Sequence, residues 1–503
     1  MLHEFLAAGA MLIQPATVVA LLVGIVLGTI IGVLPGLGPS IAVSLAVPFT
    51  LNMGIGPSIA LLMALYCTSI YGGAITAILV NVPGTPASAA TCFDGHPMAR
   101  RGEANVAIAI ATFASAIGGW LSLVILALIA PFLARFALRF GPLEMCCVGI
   151  FALCCIAVIE RRTLTRAVAA GLIGITIAAV GQDPVSGGMR LTFGYFPLSA
   201  GIPLVPLLIG LFAFSEVMIR VGEIAAGMQR PAMTGVGFRL PNFAFWKNAA
   251  PLVAKSSIIG TAIGILPGSG PTAASFISYA EAKRSAKDPA SFGKGNPHGV
   301  IASEAANNAV TGGALVPTLS IGIPGDPITA IMLAALVLQG VIPGPKLYVE
   351  HGDIVMLILM SLFVANAGIM VMGALGAPLW TRILKIPEPL LMVGVTIVAT
   401  LGTFATDNSA FDLIIMVFAG FLGWGLRALR FPLAPLIIGY VLGPMVEVNL
   451  KQALIVYGGD PYVFIERPIA TVLLLMTLAV LFYPWLNGLA KRCFGKAEVR
   501  EAK

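Results

Sequence analysis

Long apolar runs recur along the chain, and the charged residues fall between them. The clearest runs cover 16–34, 105–134, 202–219, 352–380 and 469–489. Each approaches or exceeds the roughly 20 residues a helix needs to cross hydrocarbon. They are continuous rather than alternating, which excludes an outer-membrane type of barrel. Of the 503 residues, 58% are hydrophobic and 10% charged, against about 25% charged in soluble domains. Lipid is therefore the solvent for most of the chain. The pattern predicts an all-α polytopic integral membrane protein with about 10–12 membrane-spanning segments.

Internal repetition organises these runs. Gly28–Ser40 reads GTIIGVLPGLGPS and Gly260–Thr272 reads GTAIGILPGSGPT. In the same order, Gly72-Gly73-Ala74 leads to Pro83-Gly84-Thr85-Pro86, and Gly312-Gly313-Ala314 leads to Pro324-Gly325-Asp326-Pro327. Pro142 and Gly149 match Pro387 and Gly394, and PLVPLLIG (203–210) matches PLAPLIIG (432–439). The predicted organisation is a first transmembrane repeat over 14–222, a polar cytoplasmic linker over 223–248 and a second repeat over 249–447. One extra helix and a basic tail follow over 448–503.

Charge sets the expected sidedness. The tail carries Lys491, Arg492, Lys496, Arg500 and Lys503, and the linker carries Arg230, Arg239 and Lys247. By the positive-inside rule both are cytoplasmic. The second half then ends outside and the first inside, so the repeats are inverted. Glu160-Arg161-Arg162 is basic where its counterpart Thr406-Asp407-Asn408 is not, and Arg427–Arg430 is basic where Leu198-Ser199-Ala200 is not. The charged loop Asp94–Glu103 is expected in the cytoplasm. The basic loop Lys283–His298 falls outside on this scheme, as do Asp183 and Arg190, two candidate contacts for a delivering protein. The first helix, with no Lys or Arg before it, is read as retained, with an external N-terminus.

Net charge is +7, and loop cations account for it; no basic stretch interleaved with aromatics offers a nucleic-acid surface. Cys67, Cys92, Cys146, Cys147, Cys154, Cys155 and Cys493 lie mostly in apolar runs. They read as small hydrophobes rather than as metal ligands or a disulfide framework.

Proline and glycine inside a membrane helix free backbone groups that only protein or a water-filled cavity can satisfy. Four such breaks, in two matched pairs, point to a transporter site: 35–39, 83–86, 267–271 and 324–327. A helix that starts after each break aims free N–H groups and partial positive charge at a ligand. Hydroxyls cluster there. Candidate substrate ligands are Ser40, Asn81, Gly84, Thr85, Ser88, Ser269, Gly270, Thr272, Ser275, Gly325, Asp326 and Thr329. Gly36, Gly38 and Gly268, with Glu304, Asn307 and Asn308 on one helix face, are candidates for a coupling cation, Na⁺ or H⁺. No further cofactor or metal is expected. For one break the plainer reading is a packing kink; for four the site reading prevails. Glu304 is either an intramembrane acid or a helix-end carboxylate in interfacial water. Asp326 either pairs with a cation or caps the next helix.

These motifs are similar to a known family. PGLGPS with PGSGPTAASFISYAEAKR, YGGAITAILVNVPGTPASAATCFDGHPMARRG, GQDPVSGGMRLTFG and SEAANNAVTGGALVPTLSIGIPGDPITA resemble the large membrane subunit of the tripartite tricarboxylate transporters, nearly end to end. The resemblance implies a secondary transporter of di- or tricarboxylates in the bacterial inner membrane, driven by a cation gradient. It implies a small membrane subunit and a periplasmic substrate-binding protein as partners. It puts the site on the Pro-Gly tips and their neighbouring Ser, Thr and Asn residues. The rivals are a passive anion channel and a membrane-embedded enzyme. The four histidines, His3, His96, His298 and His351, pair with no acid on an apolar helix face, which disfavours the enzyme.

Overall fold

The Pro-Gly breaks decide the architecture, because each reverses the chain at mid-depth. The computed structural model describes residues 2–159, 164–226, 237–268, 270–383, 386–460 and 462–482. It is almost wholly helical. In order, the helices are α1 (Leu2–Leu12), α2 (Pro15–Val33), α3 (Pro39–Thr50), α4 (Ile55–Val80), α5 (Ala89–Met98), α6 (Ala104–Ala137), α7 (Pro142–Ile159), α8 (Leu164–Ala178), α9 (Leu204–Ile209) and α10 (Ser215–Ala225). There follow α11 (Phe243–Ile265), α12 (Gly270–Ser285), α13 (Pro297–Ile321), α14 (Pro327–Leu338), the short α15 (Leu347–Glu350), α16 (Gly352–Ile383), α17 (Glu388–Asp407), α18 (Ala410–Ala428), α19 (Leu433–Val456), the short α20 (Val463–Glu466) and α21 (Pro468–Phe482). Among the described residues, eight helical stretches are long and apolar enough to cross a membrane. The chain is a multi-pass, all-α membrane protein.

Two units form. The first comprises Met1–Leu138 and Pro203–Gly425, the second Arg139–Ile202 and Leu426–Lys503. In the first unit α4 and α13 lie at the centre, buried along almost their whole length. Glycine lets their neighbours approach to backbone contact, as is usual between membrane helices. A Cβ on Gly24 would meet Ala64, one on Gly28 would meet Leu65 and Thr68, and one on Gly32 would meet Ser69 and Gly72. The rising order makes α2 parallel to α4. Gly260 against Ala306 and Gly264 against Val310, Gly313 and Ala314 make α11 parallel to α13 in the same way.

The directions then follow from contacts. After the break at 34–38, α3 returns, and Ser58 at the start of α4 bonds the carbonyl of Thr50 at the end of α3 (3.0 Å). After the break that begins at Leu266, α12 returns along α11, with Lys255 Nζ 2.6 Å from Glu281 Oε1. Both pairs are re-entrant helical hairpins. Beyond α4, residues 82–84 turn back inward, where Gly84 N–H bonds the Gly73 carbonyl (3.3 Å). Then α5 runs outward until His96 Nδ1 lies 3.1 Å from the Ile78 carbonyl. The segment after α13 repeats the manoeuvre, with Gly325 N–H on Thr318 Oγ1 (3.3 Å).

The two sets run oppositely across the unit. Arg101 bonds the carbonyls of Lys294 (2.8 Å) and Gly295 (2.6 Å), and Gly237 N–H bonds Asn105 Oδ1 (2.6 Å). The loops at 99–103 and 286–296 and the end of the linker therefore share one face. At the other face Gln339 Nε2 reaches the Thr50 carbonyl and Ser58 Oγ (3.2 Å). One expectation is corrected here. The loop Lys283–His298 lies on the linker's face, not opposite it, because the break at Pro267 makes α11 and α12 a hairpin rather than a crossing. The basic residues of this loop thus share a side with the linker.

The last spans are exchanged between the sequence halves. In the first unit Gly210 and the α10 start pack on α18, where a Gly210 Cβ would lie 2.3 Å from the Met416 carbonyl. In the second, Gly439 of α19 packs on α8, with the Gly171 carbonyl 2.3 Å from a Cβ placed there. Gly210 and Gly439 are matched positions of the two motifs. The second unit also holds a two-stranded antiparallel hairpin, Gly181–Gln182 with Met189–Arg190. Asp183 and Arg190, read above as partner contacts, are engaged within the chain: Lys451 Nζ is 2.5 Å from Asp183 Oδ2 and Arg190 Nη1 is 2.5 Å from Glu447 Oε1. The Lys451 ammonium, with the Val185 and Ser186 N–H groups, holds the Asp183 carboxyl well below the usual carboxylate range. The tail residues Lys491, Arg492, Lys496, Arg500 and Lys503, Arg230 of the linker and the loop Glu160-Arg161-Arg162 lie outside the described residues, as do Ser269 and Cys493.

Candidate functional site

Four half-helices begin at mid-depth in the first unit: α3, α5, α12 and α14. Proline at the first turn of each entry suits a position whose N–H would be unpaired anyway. Gly36 (φ 88°), Gly268 (φ 82°) and Gly270 (φ 63°) supply the left-handed backbone that the breaks require. Each tip meets the break of its own half. A Cβ on Gly84 would sit 2.4 Å from the Gly32 carbonyl, and Gly268 N–H bonds the Gly325 carbonyl (2.7 Å).

The hydroxyls near the tips are mostly buried. Thr85 Oγ1 is 3.0 Å from Ser88 Oγ and accepts from Ser88 N–H (3.4 Å). Both residues are buried, as are Ser275 and Thr329, while Ser40 and Thr272 are half-buried. Ser275 donates to the Pro271 carbonyl (3.0 Å). Asp326 resolves to a helix cap. Its Oδ1 accepts from Thr329 N–H (2.7 Å) in a reciprocal capping box, and its Oδ2 accepts from Tyr66 OH (2.8 Å). Asn81 stands apart from the tips. It caps α4 in the left-handed conformation (φ 56°, ψ 24°) and is exposed on the linker's face. A short amide tolerates that backbone better than other side chains.

Glu304, Asn307 and Asn308 are all completely buried in the first half of α13, so the reading of Glu304 as a carboxylate in interfacial water fails. Its Oε1 accepts from Thr91 of α5, and its Oε2 accepts from Ser115 of α6 (3.0 Å). Thr91 Oγ1 is also 3.0 Å from Ser303 Oγ. Neither amide atom of Asn307 makes a hydrogen bond of normal geometry, nor does Asn308 Oδ1. Asn308 Nδ2 approaches Cys67 Sγ (4.0 Å), which in turn donates to Asn366 Oδ1 (3.3 Å). The Asn307 side chain stands beside the Glu304 carboxyl, and a buried polar atom left without a partner carries a desolvation cost of about 1–3 kcal/mol. A buried carboxylate with hydroxyls and open amide oxygens around it suits a small hard cation or a proton.

Several participants escaped the sequence reading. Thr91, Ser115 and Tyr66 are ordinary residues in apolar runs, and nothing in their spacing marks them. Arg220 of α10 did carry a signal, as a charge just beyond the run at 202–219. Its guanidinium lies against the first break, with Nη2 2.2 Å from a Cβ built on Gly36. Glu216 (2.9 Å) and Glu223 (2.7 Å) hold it there.

Comparison with known proteins gives the family of the chain. Residues 18–438 match the Tripartite tricarboxylate transporter TctA family. A protein of Agrobacterium vitis described as "Uncharacterized 52.8 kDa protein in TAR-I ttuC' 3'region" is 34% identical over 439 residues, which is 86% of each chain. A second from the same organism, "Uncharacterized protein in TAR-II ttuC' 3'region", is 37% identical over 215 residues, 43% of this chain and 89% of the other. No solved structure matches. With nearly the whole membrane region covered, the chain belongs to the TctA family of tripartite tricarboxylate transporters.

Proposed function

We propose that the protein is the large permease subunit of a binding-protein-dependent secondary transporter that imports di- or tricarboxylates by Na⁺ or H⁺ symport. One observation carries this reading: four half-helix N-termini, approaching from opposite faces, end at mid-depth beside buried hydroxyls. Such N-termini favour carboxylates, and oppositely running sets of broken helices favour alternating access around a fixed site. Substrate would be held by Thr85, Ser88, Thr272, Ser275 and Thr329 with the glycine backbones of the tips. Glu304, Asn307 and Asn308 would hold the coupling cation, with Thr91 and Ser115 orienting the carboxylate. The linker's face would be cytoplasmic, the membrane the bacterial inner membrane, and a small membrane subunit and a periplasmic binding protein the partners.

The test is uptake of labelled citrate into proteoliposomes containing the chain, its small subunit and its binding protein. Imposed Na⁺ and proton gradients are applied separately. Accumulation against the citrate gradient, dependent on one cation gradient, is expected. Flux indifferent to both gradients would instead establish a passive channel.

A further inference from the structure

At the outer end of α5, on the linker's face, lies a cavity of about 590 Å³ that the tips do not use. Asn81, Cys92, His96, Arg100, Arg101 and Lys294 line it. Its volume lies within the range of small-molecule sites, roughly 300–1,000 Å³. Three of these six side chains are permanent cations. One carboxylate, Glu103, offsets them, and it is spoken for by Arg101 Nη2 (2.9 Å). The other nearby acid, Asp94, is turned into the 293–296 loop, where it accepts three backbone N–H bonds. The wall is therefore net positive.

It is also built rather than incidental. Arg101 is fixed by the Lys294 and Gly295 carbonyls, and a Cβ on Gly295 (φ 94°) would lie 2.6 Å from its Nη2. Glycine there lets the loop backbone close onto the guanidinium. His96 Nδ1 faces the Ile78 carbonyl (3.1 Å), which assigns a ring proton to Nδ1 and fixes the orientation of the ring. Arg100 and Lys294 are exposed and able to close on an anion. Cys92, which also lines the cavity, is the neighbour of Thr91, whose hydroxyl binds Glu304. Thus α5 joins the first tip at one end to a basic vestibule at the other.

We propose that this vestibule is a second, weaker site for a small multivalent carboxylate, occupied as the anion leaves the tip for the linker's side. The proposal rests on the transport reading, yet Cys92 allows it to be tested without transport. The full chain in nanodiscs is treated with anionic and cationic methanethiosulfonates, and the Cys92 peptide is followed by mass spectrometry. Relative to free cysteine, the anionic reagent should react about tenfold faster than the cationic one. Arg100→Gln with Lys294→Gln should reduce that ratio about fivefold or more, and millimolar citrate should slow modification in the parent but not in the double variant. Equal rates for the two reagents, or no modification of Cys92 by either, would overturn the site. Slowing by anionic phospholipid in the disc, with none by citrate, assigns the cations to lipid headgroups and also overturns it. Protection by citrate in a chain that moves no citrate under any gradient would leave the site standing and remove the transport reading instead.

Discussion

Asp94 offers the sharpest test of how the linker's face is held together. Its Oδ1 accepts the N–H groups of Gly293 (2.9 Å), Gly295 (2.8 Å) and Asn296 (2.7 Å), and its Oδ2 accepts Tyr279 OH (2.8 Å). It thereby fastens α5 both to the loop before α13 and to α12. In Asp94→Ala, water reaches the exposed Gly293 amide, but the buried Gly295 amide and the Tyr279 hydroxyl lose their partner. At about 1–3 kcal/mol for each of these two stranded groups, a loss of roughly 2–6 kcal/mol is expected. The melting shift shrinks with chain size to about 1 °C per kcal/mol at this length, so the midpoint should fall by about 2–6 °C. Asp94→Asn keeps one oxygen for the three amides, and its NH₂ can donate to a rotated Tyr279 hydroxyl. It should lose about half as much. Fluorescence-detected melting of the purified chain reads both variants. A parent-like midpoint in Asp94→Ala, or a larger fall in Asp94→Asn, would refute the reasoning. A double-mutant cycle with Tyr279→Phe should return a coupling of about 1 kcal/mol. Since α5 also carries Thr91, citrate uptake should fall further than folded protein does.

Other outcomes follow from the same contacts. Gly84→Ala places a methyl 2.4 Å from the Gly32 carbonyl and should abolish uptake, whereas Gly38→Ala, with nothing within 4 Å of its Cβ, should yield folded protein by size-exclusion profile. Glu304→Gln keeps the shape and the Thr91 and Ser115 contacts possible, and it should change the cation titration of uptake; an unaltered titration would count against its role. Asp326→Ala removes a helix cap, a loss of about 1 kcal/mol, and strands the Tyr66 hydroxyl. It should therefore lower the melting midpoint more than Asp326→Asn does.

The repeated Pro-Gly motifs told where the chain breaks, because lipid tolerates freed backbone groups only inside protein. They did not tell which breaks turn the chain around. The hairpin of α11 and α12 depends on contacts such as Lys255 with Glu281, and without it the basic loop at 283–298 falls on the wrong side. Glu304, Asn307 and Asn308 were legible as one face of a helix. Their partners were not, since Thr91 and Ser115 lie 213 and 189 residues away. Asn81 misled for a local reason: its neighbour Pro83 belongs to the tip, but two residues of extended chain separate the depths of Asn81 and Gly84. The exchange of α9–α10 and α19 between halves was invisible, because the PLVPLLIG and PLAPLIIG segments fit their own repeats equally well in sequence.

The polarity of α13 has a consequence for how the protein is made. A charged residue within a membrane helix opposes translocon-mediated insertion, by about 2.5–3.5 kcal/mol at the centre and less toward the ends, and α13 carries Glu304 two turns from its start with two amides beside it. This helix is poorly suited to leave the translocon for lipid alone. Its deepest neighbours, α6 and α11, are synthesised first, with Ser115 already displayed on α6. The crossing of α13 is thus expected to wait for a protein groove, so that the most polar helix of the chain becomes a late, assisted arrival in biogenesis.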